Sequence, residues 1–174
     1  MDNLCHTLVG LSLAESGLKR KTALGTATLL VGANLPDVDV LAYAWGPVTA
    51  LGFRRGWTHG VLAIAVWPLV LAGLMLAWDR GVRRRREPGA APADPWWLVV
   101  LAAMSVMSHP LLDFLNTYGV RFLMPFSDRW FYGDTLFIVD PWIWILLLAG
   151  AIWSRRQWSK EVPRAGGPAR VALV

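Results

Sequence analysis

Long uncharged segments alternate with short polar joints along this chain. Segment 60–78 carries 19 consecutive uncharged residues and predicts a helix able to cross a hydrocarbon layer of ~30 Å. Segment 96–115 predicts a second, interrupted at His109-Pro110 because proline removes a backbone donor and crowds the preceding turn. Three shorter apolar stretches, 4–18, 22–35 and 141–153, predict helices that are tilted, half-inserted or packed inside a bundle. Pro36 marks the end of the second. The joint 37–58 is mixed, with Gly46-Pro47, Gly52 and Gly56, and predicts a loop with a short interfacial helix. The joint 80–94 is a polar connector, and 116–139 is a long polar-aromatic loop on the outer side. No internal repeat is visible. The expected fold class is all-α: a polytopic transmembrane helical bundle with about five membrane segments.

Composition supports that pattern. The chain has 174 residues, which suggests one domain, read as 1–153, with a basic tail at 154–174 expected to be disordered and cytoplasmic. Hydrophobic residues make up 55% and charged residues only 17%, with mean hydropathy +0.42, too little charge to coat a soluble domain. Cys5 is the single cysteine, so no intrachain disulfide can form. The N-terminus lacks a basic leader region, so no cleavable signal peptide is expected.

Charge then orients the segments. Lys and Arg cluster at 19–21, at 80–86 and in the tail, 13 of the 17 in all. The other four are Arg54, Arg55, Arg121 and Arg129, which fall on the opposite side. The positive-inside rule gives N-out/C-in, hence a multi-pass membrane protein. Because the basic residues flank apolar segments, nucleic acid is disfavoured as a partner. The arginine run 83–86 reads as an orientation signal. Trp57, Trp130 and Trp142 on the outer side, with Trp78, Trp96, Trp97 and Trp153 on the inner, read as aromatic belts.

That topology acts on the three histidines, which played no part in building it. His6 lies near the outer end of the first segment and His59 just before the third. His109 comes late in the fourth, after roughly 20 Å of helix from Trp96. All three reach the outer side, beside several carboxylates. His109 and Asp113 are spaced i, i+4 and share a helix face; Asp2 and His6 have the same spacing. Asp37 and Asp39, in extended geometry, point the same way and suit chelation. Asp128, Asp134 and Asp140 are weaker candidates, and Asp140-Pro141 suits a helix cap. His and Asp side chains hold catalytic divalent metals. Arg121 and Arg129, with Arg54 and Arg55, suit bidentate binding of an anionic group.

Five phrases then carry a family resemblance: His6-Thr7-Leu8-Val9-Gly10, Asn34-Leu35-Pro36-Asp37-Val38-Asp39, Arg55-Gly56-Trp57-Thr58-His59, His109-Pro110-Leu111-Leu112-Asp113, and the loop from Tyr118 to Asp128. In this order they resemble the bacterial membrane-bound metal-dependent hydrolases, also called LexA-binding, inner-membrane-associated hydrolases. These have a distant likeness to zinc-dependent phospholipase C-like enzymes. Gly60 departs from the serine expected after Thr58-His59. The resemblance implies a metal-bound hydrolytic site with His6, Asp37, Asp39, His59, His109 and Asp113 as candidate ligands. Its LexA element implies a cytoplasmic partner for which the sequence offers no surface.

The reading is therefore a membrane-embedded metal-dependent hydrolase. It holds one or two divalent ions, zinc or alternatively manganese, and acts on an ester or phosphoester of a lipid or lipid-linked substrate. Asp39 or Asp113 would take the proton from an activated water, and Arg121 or Arg129 would hold the anionic group. Alternatives are a metal-ion or proton-coupled transporter using the same His/Asp cluster, or a structural membrane protein. A Glu-based zinc protease is disfavoured, since no His-Glu-x-x-His occurs and Glu15, Glu87 and Glu161 all fall on the inner side.

Overall fold

The computed structural model describes residues 1–161, and their regular elements are helices. Helix α1 spans Asn3–Glu15. It starts where the Asp2 carboxylate accepts from the Leu4 and Cys5 N–H groups at 3.0 and 3.1 Å, and stops at Gly17, whose φ of +107° suits glycine alone. Helix α2 spans Gly25–Asn34 and gives way at Pro36 to a tighter 3₁₀ run, Leu35–Trp45. Gly46, at φ +100°, ends that run, and α3 covers Pro47–Phe53. Helix α4, Val61–Trp78, continues through a widened turn at Asp79–Arg83 into the single turn α5, Arg84–Arg86. Helix α6, Pro95–Leu115, begins where Asp94 accepts from Trp97 N–H at 3.1 Å. Helix α7, Pro141–Glu161, is capped by Asp140, which accepts from Trp142 and Ile143. Among the described residues no strand forms. The 116–139 segment holds only isolated bridges, Asn116 to Leu136 and Val120 to Phe131.

Two expected boundaries move. Helix α6 runs unbroken through Pro110 instead of stopping at it. Proline removes one hydrogen bond and crowds one turn, while Leu101, Ala102, Val106 and His109 before it and Asp113 after it are fully buried against neighbours, so packing outweighs the local cost. Helix α7 extends to Glu161, eight residues into the tail read as 154–174; residues 162–174 lie outside the described residues.

Helix α6 is the central element, packed between α2 and α4, and α1 lies between α2 and α7. Close approach needs small residues. A Cβ on Gly10 of α1 would sit 2.8 Å from the Leu29 carbonyl oxygen and 3.1 Å from the Ala33 Cβ on α2, the small-residue packing usual between membrane helices. The core between helices is apolar, built on Leu29, Ala14 and Leu101 in one cluster and Ala72, Ala93 and Leu98 in another.

Among the described residues, two helical stretches are long and apolar enough to cross a membrane, Val61–Arg86 and Pro95–Leu115. The 13 residues of α1 and 10 of α2 reach only about 20 and 15 Å. Yet α1 keeps pace with α7. Trp144 donates to Asp2 at one end, and Ser154 and Trp158 donate to the Glu15 carbonyl at the other. Chain order therefore brings the starts of α1, α4 and α7 to the same end of the bundle as the finishes of α2 and α6.

Candidate metal centre

At that shared end, three histidines from three different segments converge on one carboxylate. His6 comes from the first turns of α1, His59 from the turn before α4, and His109 from α6, one helical turn before Asp113. All four side chains are fully buried. His6 stacks on His109 with ring centroids 3.6 Å apart, and His59 meets His109 edge-on at 4.9 Å.

The hydrogen-bond partners fix which ring nitrogens are free. His109 Nδ1 lies 2.6 Å from the Ala33 carbonyl oxygen. A carbonyl only accepts, so Nδ1 carries the proton and Nε2 keeps its lone pair. His59 Nδ1 lies 2.8 Å from the Thr58 hydroxyl, which in turn donates to Asp39 Oδ2 at 3.2 Å. That relay assigns the proton to Nδ1 and again frees Nε2. Asp39 Oδ2 also accepts from the Arg55 N–H at 2.8 Å. Burial holds the His59 imidazole below its ordinary pKa in spite of Asp113 and Asp39 nearby. For Asp37 burial acts in the opposite sense, but pairing with His109 outweighs it and leaves the carboxyl below its usual range.

The free atoms face one another. Asp113 Oδ2 lies 3.3 Å from His59 Nε2 and 3.5 Å from His109 Nε2; Asp113 Oδ1 lies 3.4 Å from His6 Nε2; Asp37 Oδ1 lies 3.6 Å from His109 Nε2. The Nε2 atoms of His6, His59 and His109 and Asp113 Oδ2 are buried without a hydrogen-bond partner. Buried polar atoms are rarely left so. Two groups, His6-His109-Asp113 and Asp37-His59-His109, each bring their ligand atoms within 4.8 Å of one another.

The Asp113 oxygen that faces His6 is also tied by the fold. This atom, Oδ1, contacts the Met1 amino group, the Arg55 guanidinium at 3.2 Å and the Asn116 amide at 3.4 Å. Arg55 ties the region together. Its backbone sits at φ +52°, uncommon for a residue with a side chain, and its guanidinium also donates to Asn116 Oδ1 and the Gly119 carbonyl. Asn116, Thr58 and the Arg55–Asp113 pair were not among the residues picked from sequence. Asn116 completes an i, i+4, i+7 series with His109 and Asp113, so its helical face was visible. Thr58 finds its carboxylate partner 19 residues away, which no local pattern reveals.

Several expectations change here. Asp37 and Asp39 do not point the same way, because they sit on a 3₁₀ turn, with about 120° per residue, not on an extended strand. Asp37 faces His109, whereas Asp39 faces Thr58 and the Nδ1 side of His59, away from the free nitrogens, so Asp39 orients a ring instead of joining the cluster. Arg121 is buried and donates to the Gly52 and Arg54 carbonyls at 2.7 and 2.8 Å, bracing the turn under Gly56. Arg129 is exposed and lies over the Phe131 ring at 5.3 Å. Both are spent on loop structure, since 116–139 has no strand ladder to hold it. Asp128 and Asp134 are exposed.

The YdjM inner membrane protein family matches residues 1–172. The chain belongs to the YdjM inner membrane protein family. This membership and the two span-length helices agree on an inner-membrane location. A curated relative, "Uncharacterized protein YfhP" from Bacillus subtilis (strain 168), is 26% identical over 162 residues, covering 88% of this chain and 46% of its own. The chain thus spans about half the length of the relative it matches. No solved structure matches it.

Proposed function

We propose that this YdjM-family chain is a metal-dependent hydrolase of the bacterial inner membrane, acting on an ester or phosphoester of a lipid or lipid-linked substrate. One observation carries the reading: buried, unpartnered Nε2 atoms of His6, His59 and His109 aimed at Asp113. Nitrogen and oxygen ligands about 2.0–2.2 Å from a tetrahedral ion sit roughly 3.3–3.6 Å apart. The four separations around Asp113 and Asp37 run from 3.3 to 3.6 Å, beyond the 2.7–3.2 Å usual for N–H···O hydrogen bonds. The donor set therefore fits a divalent ion, zinc first and manganese second, better than it fits a hydrogen-bonded staple. A second ion is compatible with the Asp37-His59-His109 group.

His109 would hold the ion together with His6 and Asp113, or with His59 and Asp37, the two groups whose ligand atoms close on one another. Such an ion supplies Lewis-acid polarisation and a water acidified towards a pKa of about 7. Asp37, the only member of the group with an exposed edge, is assigned to receive the proton. Arg54, 3.5 Å from Asp39 and a quarter exposed, replaces Arg121 and Arg129 as the cation for an anionic substrate group. The topology proposed with this site is multi-pass, N-out/C-in, with five segments and the cluster at the extracytoplasmic face. The charge count of 13 to 4 supports that orientation. The apolar cores below the cluster favour chemistry at one face over transport across.

Purified protein should retain one or two divalent ions per chain and hydrolyse a member of a panel of phospholipids and lipid-linked phosphates. His109→Ala should lose both metal and turnover. Full metal retention in His59→Ala and His109→Ala would refute the assignment.

A further inference from the structure

The cluster is sealed on every side but one. The side chains of His6, His59, His109, Asp113 and Asp39 have no exposed surface, whereas that of Asp37 is 13% exposed. Asp37 also lines an open groove of about 550 Å³ between α1 and α2, within the size range of ligand sites. The groove has a chemical gradient. Thr7, Asn34 and Asp37 make its polar end, where the Asn34 amide donates to the Thr7 hydroxyl at 3.1 Å. Leu30 and Val31, one helical turn earlier on α2, and Val38 line the apolar part. Val31 and Val38 are 43% and 38% exposed. In a membrane protein, such a surface faces lipid.

We propose that this groove is the lateral entrance to the site and holds one hydrocarbon chain of a membrane lipid, with the lipid's polar linkage at Asn34 and Asp37. The proposal rests on the hydrolase reading for what happens next, but not for the binding itself. Its direction follows from the helices. Leu30 and Val31 lie deeper along α2 than Asn34, so a lipid in the bilayer would bring its tail to the former and its headgroup linkage to the latter. On the arginine side Arg55 is 5% exposed and Asp39 fully covered, each held by partners in the fold, while Arg54, a quarter exposed, is left to meet the anionic part of the headgroup. Val31 and Asn34 thereby become specificity determinants: Val31 for chain length and bulk, Asn34 for the linkage.

The test uses the full chain in detergent with added dioleoylphosphatidylglycerol, read by native mass spectrometry, which counts metal and lipid on the same molecule. Val31→Trp fills the groove, and Leu69→Trp places the same bulk on an exposed position of α4 that does not line it. Wild type and Leu69→Trp should carry a lipid adduct that Val31→Trp loses about tenfold, the effect of excluding a few methylenes from apolar contact. Metal content should be equal in all three. Lipid retained by Val31→Trp, or absent from wild type, overturns the entrance. Should Val31→Trp lose metal as well, Leu30→Trp, on the apolar lining a full helical turn from Asn34, decides by the same readout. A wild type that binds lipid in the groove but no metal would instead overturn the hydrolase reading and leave the entrance standing.

Discussion

His59 and His109 each have one ring nitrogen committed and the other free, and the commitment comes from residues that never touch the proposed ion. The Thr58 hydroxyl and the Ala33 carbonyl fix the two tautomers. Removing such an orienting partner commonly weakens metal binding by about 10–100-fold. Thr58→Val should therefore lower metal affinity by about that factor in a chelator-competition titration, with Thr58→Ser close to wild type; equal affinities would remove Thr58 from the site. Acidity acts on the same ring. Burial keeps the folded pKa of His59 below the unfolded value of ~6.5, so the unfolded chain binds the proton first. The associated stability is full above that value and lost as pH falls through the folded pKa. Metal-stripped protein in detergent should show a falling Tm between pH 8 and 5, with a shallower fall in His59→Gln. A flat wild-type profile would contradict the buried, neutral imidazole.

At the level of helices, the site depends on contacts between α1, α2 and α6 well below it. Gly10 lets α1 approach the Leu29 carbonyl on α2, and that approach sets His6 over the His109 ring. Gly10→Val should force the pair apart, at a cost on the order of 1–3 kcal/mol for overpacking, and should lower Tm and metal content together. Gly73→Val on α4 has open space around its Cβ and should change neither. Helix existence was legible in the apolar runs: 60–78 and 96–115 became α4 and α6, and the Asp140-Pro141 pair became the cap of α7. Continuity through Pro110 was not legible, because a local rule about proline competes with burial that only neighbouring helices supply. The 3₁₀ turn that separates Asp37 from Asp39 was also hidden, since Pro-Asp is compatible with several turn conformations.

For the whole molecule, the expected orientation is testable without any activity. Asp128→Cys in a Cys5→Ala background puts a thiol in the exposed 116–139 segment. It should react with an impermeant thiol reagent in intact cells; labelling only after lysis would invert the topology and move the cluster to the cytoplasmic face. The helices of 13 and 10 residues pack along longer ones, α1 on α7 and α2 on α6, and α1 reaches from the cluster to the α7 contacts at Glu15.

The sequence alone determined the helical class and offered His6, Asp37, His59, His109 and Asp113 as candidate ligands, because hydropathy and residue chemistry are local properties. The same local view grouped Asp39, Arg121 and Arg129 with them, where the fold engages those side chains elsewhere, and passed over Thr58, Asn116 and the Arg55–Asp113 pair. Their roles depend on which atoms meet across separations of 19 to 69 residues. Only the packed helices set those meetings, by leaving four buried ligand atoms facing one another and one exposed edge at Asp37.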